Sequence, residues 1–296
     1  MRNSAATAQA SNFRLIDFLA LTKPRLNALV VVTTGVGYCL GVKDQFEAVT
    51  FFHTLIGSAL VAGGAAALNQ LSERDIDETM ERTRHRPIPS GRVQPWEACI
   101  LAAFLTGLGL TELAIGANLL ASAVALVTLV SYIAIYTPLK RRTSWSTLIG
   151  AVPGALPPVI GWAAARGALG VEAWVLFGIV FLWQLPHFHA LSWIYREDFR
   201  KANLPLMAVV DQEGRRTARQ ALLFTVALLP VSLAPSLVDL TGRVYAGAAF
   251  GLGSAFLILA WRFAEHPSTL RARSLFIGSL VYLPLLWGLL VIDGVF

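Results

Sequence analysis

Nine stretches of this chain are apolar, at roughly 26–42, 51–71, 97–116, 118–136, 147–165, 171–193, 220–238, 244–262 and 275–293. Each is close to the ~20 residues an α-helix needs to cross the hydrocarbon core of a bilayer. In lipid a segment must satisfy its backbone amides internally, so helices are the structure open to such runs. The expectation is an all-α bundle of nine transmembrane helices. The least certain boundary is Gly116-Ala117-Asn118, a short turn separating the third and fourth spans. With 14% charged residues, 55% hydrophobic residues and a mean hydropathy of +0.61, a pair of soluble domains is excluded.

In a soluble protein the net charge of +6 would suggest nucleic acid. Here its placement reads as topology instead, and nucleic acid is not an expected partner. With the N-terminus in the cytoplasm, all but three of the 24 lysines and arginines fall on the cytoplasmic side; Lys43, Arg166 and Arg243 stay outside. A miscounted span would scramble that split, so it supports nine spans and an N-in orientation together. Residues 1–25 then form a cytoplasmic segment and 26–296 one transmembrane domain. Residues 1–12 are small and polar, without an apolar run ahead of a cleavage site. The expected setting is a bacterial inner membrane, crossed many times, with the active side cytoplasmic. Cys39 and Cys99 lie far apart in apolar stretches and read as small buried side chains. The longest cytoplasmic loops, 72–96 and 194–219, follow spans two and six, which suggests an internal duplication.

The first of these loops carries chemistry. Asn69, Glu73 and Asp77 are spaced i, i+4, i+8 and share one helix face, while Asp75 points elsewhere. Two carboxylates and an amide oxygen along ~12 Å of helix offer oxygen ligands to a hard cation such as Mg2+. Arg82, Arg84, Arg86 and Arg92 follow, and guanidinium groups suit phosphate oxygens. A divalent cation beside arginines at a membrane face is what a diphosphate with a lipid tail needs. A solvated loop would share the composition but has no reason for the one-face spacing. In the second region, His187 and His189 are two apart and cannot share a helix face, whereas Trp183, His187 and Leu191 can. Polar groups inside a span default to function. Pro186 is expected to loosen its helix.

Asn-x-x-x-Glu-x-x-x-Asp resembles the first acidic motif of the UbiA-type intramembrane prenyltransferases, with Glu73 in place of the usual Asp. The string Met80-Glu81-Arg82-Thr83-Arg84-His85-Arg86-Pro87 resembles the heme O synthase branch of that superfamily. So do Lys23-Pro24-Arg25, Tyr136-Thr137-Pro138-Leu139-Lys140-Arg141 and Trp183-Gln184-Leu185-Pro186-His187-Phe188. The likeness runs from about Lys23 through the last span.

The resemblance implies a helix bundle around a central cavity. It also implies transfer of farnesyl from farnesyl diphosphate to a vinyl group of heme b, with addition of water, giving heme O and diphosphate. Heme b is substrate, and Mg2+ is the implied cofactor. Asn69, Glu73, Asp77 and Asp198 are the implied Mg2+ ligands, with Arg82 and Arg86 neutralising the leaving group. Lys23, Arg25, Arg84, Lys140 and Arg141 are implied to hold diphosphate or heme propionates. His187, on a face with Trp183, is the implied porphyrin contact and candidate axial iron ligand. The superfamily's second motif, Asp-x-x-x-Asp, is not kept. Asp198 has Ala202 four residues on, and Tyr195 stands in for one acid, so the number of Mg2+ ions stays open. Heme A synthase, oxidase assembly proteins and a second copy of the chain are the partners the resemblance allows.

Three rivals share these residues. A prenyltransferase for another aromatic acceptor would keep the acidic face but not the Trp-Gln-x-Pro-His-Phe string. An anion transporter would place its polar groups at mid-membrane rather than near helix ends. A non-catalytic heme-binding assembly factor needs His187 but not the Asn69, Glu73, Asp77 face.

Overall fold

The computed structural model describes residues 14–42 and 45–295; Arg2, Lys43 and residues 1–12, read above for topology and leader, lie outside that range. Among the described residues the chain is helical without strands. A first helix is described from residue 14 to 21, here α1. The expected first span is α2 (Pro24–Gly41), followed by α3 (Ala48–Ser72), the short α4 (Arg74–Thr79) and α5 (Pro95–Gly116). The fourth span is α6 (Leu119–Val130), a π-turn (Ser131–Tyr136) and α7 (Thr137–Leu139) in series. The fifth is α8 (Ser146–Ala155) and α9 (Pro157–Arg166), interrupted where Pro157 and Pro158 follow Leu156. Then come α10 (Val171–Ile194), α11 (Arg196–Lys201), α12 (Met207–Val210), α13 (Arg215–Leu233), α14 (Arg243–Glu265) and α15 (Thr269–Val295).

Among the described residues eight segments are long and apolar enough to cross a membrane, against nine expected. The one that falls short is α2. It is a helix of 18 residues in the expected place, but Arg25 and Asn27 in its opening turns dilute its hydropathy. The doubtful third turn is real: Asn118 Oδ1 accepts the Ala121 N–H at 2.9 Å, capping α6. Its Nδ2 donates to the Ala163 and Ala164 carbonyls at 2.9 and 3.1 Å, tying the turn to the end of α9. A capping box joining Gln94 and Glu97, with Pro95 in the first turn, starts α5. α10 remains helical through Pro186.

The main core runs through the spans and includes Tyr38, Trp162, Leu176, Ile179, Tyr245, Phe263 and Leu283. α2 and α9 pack backbone to backbone. A β-carbon on Gly161 would sit 1.9 Å from the Thr34 carbonyl oxygen, and one on Gly37 would sit 2.0 Å from that of Pro158. Two smaller apolar clusters organise one end of the bundle. Leu21, Ala67, Ile88, Val93 and Ala98 fasten α1 and the Arg86–Arg92 loop to α3 and α5. Met80 from the first polar loop packs with Phe199, Leu204 and Leu206 from the second. The two polar loops, more than a hundred residues apart in sequence, are therefore joined in space by about a handful of apolar side chains.

Candidate active site

α3 ends at Ser72, and Glu73 (φ −101°, ψ 7°) links it to α4. The single straight helix expected there is thus broken at Glu73, where Arg141 Nη2 donates to the Ser72 carbonyl at 2.6 Å. Backbone bonds still run through the junction. Glu73 N–H donates to Asn69 O at 2.9 Å and Asp77 N–H to Glu73 O at 2.8 Å. Asn69, Glu73 and Asp77 remain one buried row, 3%, 4% and 1% exposed.

Each member of the row meets a cationic side chain from elsewhere in the chain. Lys23 Nζ donates to Asn69 Oδ1 at 3.0 Å. Lys140 Nζ donates to both Glu73 oxygens, at 3.0 and 3.2 Å. Arg86 Nη1 donates to Asp77 Oδ2 at 2.6 Å. The other Asp77 oxygen, Oδ1, is buried and takes no hydrogen bond. Burial pushes the Asp77 carboxyl above its ordinary range, against the opposing pull of Arg86. Burial and the nearby Arg86 bring the Lys23 ammonium down to about 8, with Glu73 and Asp77 resisting. Lys23 also holds a left-handed backbone (φ 47°), a strained conformation for a residue with a side chain. The Thr83 hydroxyl donates to the Asp77 carbonyl at 2.9 Å and fixes the turn that brings Arg86 back.

The remaining candidates are placed differently. Arg141, Lys140's neighbour, grips Asp75 with Nη1 and Nη2 at 2.9 and 2.8 Å, outside the row. Arg82 is exposed and stacks over the Tyr195 ring at 5.7 Å, a contact between the two polar loops. Arg84 is exposed beside Glu81, and Arg25 is exposed on the first turn of α2. Asp198 is half-buried on α11 and makes no side-chain hydrogen bond among the described residues.

Deeper in α10, Trp183 and His187 are stacked, centroids 5.2 Å apart. Trp183 Nε1 donates to the Ser279 carbonyl at 2.8 Å, and His187 Nδ1 lies 2.8 Å from Ser279 Oγ. Ser279 Oγ itself donates to the Phe276 carbonyl at 2.5 Å. With the hydroxyl proton on that carbonyl, Ser279 Oγ is placed to accept from a His187 Nδ1–H, the tautomer that leaves Nε2 unprotonated. His189 points elsewhere, stacking on Phe224 and bordering a cleft of about 30 Å3.

Sequence reasoning missed several participants. Ser279 sits in the ninth apolar stretch, 275–293, to which no site residue was assigned. The stacked Tyr132 and Tyr136 (5.6 Å) lie on the π-turn that packs on α3, close to Glu73. A β-carbon on Gly150 would fall 2.5 Å from the Tyr136 ring, so a glycine there was the available signal.

No three His, Cys, Asp or Glu side chains among the described residues converge as a metal centre. Glu73, Asp77 and the Asn69 amide are the oxygen donors that would hold a Mg2+ ion here. The unpartnered, buried Asp77 oxygen fits that use.

The fold and site together are a membrane-spanning helix bundle that sets a buried oxygen row against lysine and arginine at one end. The chain belongs to the UbiA prenyltransferase family, whose pattern it matches over residues 30–287. It is 46% identical over 286 residues to the protoheme IX farnesyltransferase of Solibacter usitatus, covering 94% of this chain and 98% of the relative. It is 44% identical to the enzyme of the same name from Opitutus terrae, covering 98% and 99%. The fold is shared with digeranylgeranylglyceryl phosphate synthase (TM-score 0.80, 15% identity, 95% and 99% covered). It is also shared with a UbiA homolog from Archaeoglobus fulgidus bound to GPP and Mg2+ (TM-score 0.68, 16% identity, 93% and 99% covered).

Proposed function

We propose that this protein transfers farnesyl from farnesyl diphosphate to a vinyl group of heme b, with addition of water, giving heme O and diphosphate. The buried row of Asn69, Glu73 and Asp77 facing Lys23, Lys140 and Arg86 carries the diphosphate half of the reading. The names of relatives at 40–46% identity supply the acceptor.

Asn69, Glu73 and Asp77 would hold Mg2+, which supplies neutralising charge for the departing diphosphate. Lys23, Lys140 and Arg86 are within a side-chain swing of the same place and turn to phosphate oxygens as the allylic C–O bond ionises. The stacked Tyr132 and Tyr136 offer aromatic faces to the resulting cation. The surrounding apolar helices keep water away until the vinyl carbon has attacked. No nucleophilic Ser or Cys is required. His187, with Nε2 bare, is the porphyrin contact. The polar end faces the cytoplasm of a bacterial inner membrane, where both anionic substrates meet a positive field.

Membranes containing the protein are incubated with heme b, farnesyl diphosphate and Mg2+, and the porphyrins are separated with mass detection. A later-eluting heme heavier by a farnesyl group and a hydroxyl group is the expected product. Unchanged heme, with an added aromatic acid prenylated by the same membranes, assigns the chain another acceptor.

A further inference from the structure

The three cationic contacts of the oxygen row have a consequence for how a metal gets in. Lys140 spans both oxygens of Glu73, and the pair is secluded, 16% and 5% exposed at the side chains. Lys23 occupies the Asn69 oxygen, and Arg86 occupies one oxygen of Asp77. Two carboxylates thus face three cationic groups, so the cluster is already positive by one charge. A dication entering alone meets three cationic groups around the row and must displace Lys140, whose side-chain hydrogen bonds among the described residues both go to Glu73. A dication carried by a diphosphate meets the opposite situation. The pair is net anionic, and its phosphate oxygens accept the ammonium and guanidinium groups that the row gives up.

We propose that Lys140 is a charge latch on Glu73: it suppresses binding of a divalent cation alone and yields Glu73 only when a diphosphate arrives to take the lysine, so that cation and diphosphate bind as a unit. The inference rests on the reading of this row as a cation–diphosphate site. It assigns Lys140 a positioning role on the metal side, in addition to any contact with the leaving group. The latch is distinct from Arg141, whose bidentate grip on the more exposed Asp75 leaves the row untouched. It guards the reaction against a bound cation with nothing to neutralise, and against a diphosphate bound without its cation.

The test is equilibrium dialysis of Mn2+ against the purified full-length protein in nanodiscs, with inorganic pyrophosphate either absent or equal in both chambers. Wild-type protein is expected to bind Mn2+ at least about tenfold more tightly with pyrophosphate than without, within the usual range of coupling between sites. Lys140→Met is expected to raise the affinity for Mn2+ alone about tenfold and to shrink the coupling correspondingly. Lys140→Arg, which keeps the charge, is expected to bind Mn2+ alone as weakly as wild type. A Lys140→Met protein that binds Mn2+ alone no better than wild type overturns the latch. So does a wild type indifferent to pyrophosphate, a result that stands even if the methionine variant does not fold. Membranes that show the coupling but leave heme unmodified remove the proposed reaction and keep the latch. Membranes that farnesylate heme without the coupling do the reverse.

Discussion

Asp77 is the acid of the row with one oxygen left unpartnered. One oxygen is held by Arg86, the other is buried and bare, and its carbonyl is fixed by Thr83. Asp77→Asn keeps the shape but removes the charge. It is expected to cut heme farnesylation by about 100-fold or more, the scale on which removal of one preorganised electrostatic contact acts. Residual activity should no longer rise with Mg2+; a variant with near-normal rate and the wild-type Mg2+ titration removes Asp77 from the metal. Ser279 makes a different kind of prediction, because it acts through His187. Ser279→Ala frees His187 Nδ1 of its acceptor, so the imidazole no longer has one enforced tautomer. The expected result is heme binding weakened about tenfold or more, the lower end for loss of a supporting hydrogen bond at a ligand, with a shifted heme absorption spectrum. Pyrophosphate binding should be unchanged. His187→Ala should go further, abolishing heme modification while pyrophosphate still binds; full turnover in that variant sinks the assignment.

At the scale of elements, the helices follow from apolar runs of membrane-spanning length; most observed ends lie within three residues of the expected ones, whereas the seventh and ninth spans begin earlier, at Arg215 and Thr269. What hydropathy does not carry is how a helix deviates. The break at Glu73 depends on Arg141 reaching the Ser72 carbonyl from 69 residues away, and the π-turn of Tyr132 and Tyr136 depends on packing against α3 and Gly150. In the same way the oxygen row was legible from its i, i+4, i+8 spacing, whereas its partners Lys23, Lys140 and Arg86 come from three different loops. The family likeness pointed to those residues without pairing them. Close packing is testable in the same terms. Gly161→Ala drives a methyl group into the Thr34 carbonyl at the α2–α9 crossing, where both partners are backbone and neither can rotate away. Overpacking of this kind costs about 1–3 kcal/mol and should lower the thermal midpoint in detergent by several degrees. Gly247→Ala on α14 is the matched control, since a β-carbon there meets nothing within 4 Å. It should leave the midpoint unchanged or slightly raised, as alanine is the better helix former.

For the whole molecule, the arrangement of charge makes a claim about orientation that the helix packing does not. The polar loops that meet through Met80 and Phe199 carry Arg82, Arg84, Arg86, Arg200 and Lys201, whereas the opposite end has few basic residues, Arg166 and Arg243 among them. Basic loops are retained on the cytoplasmic side during insertion, so the oxygen row should open to the cytoplasm. That side is also where a water-soluble diphosphate product can leave and where anionic propionates are drawn by the local field. The expectation is checked with cysteines placed at each end in a Cys39→Ser, Cys99→Ser background. Glu81, exposed in the first polar loop, and Leu237, 81% exposed between α13 and α14, are the positions. A membrane-impermeant maleimide added to intact spheroplasts should label Leu237→Cys and spare Glu81→Cys, which should react only after lysis. The reverse pattern would invert the bundle and place the oxygen row outside. Labelling of both before lysis would mean that one of the helices counted between them does not cross. The helix under suspicion then lies between residues 81 and 237, not at α2, whose marginal hydropathy bears only on the N-terminal side.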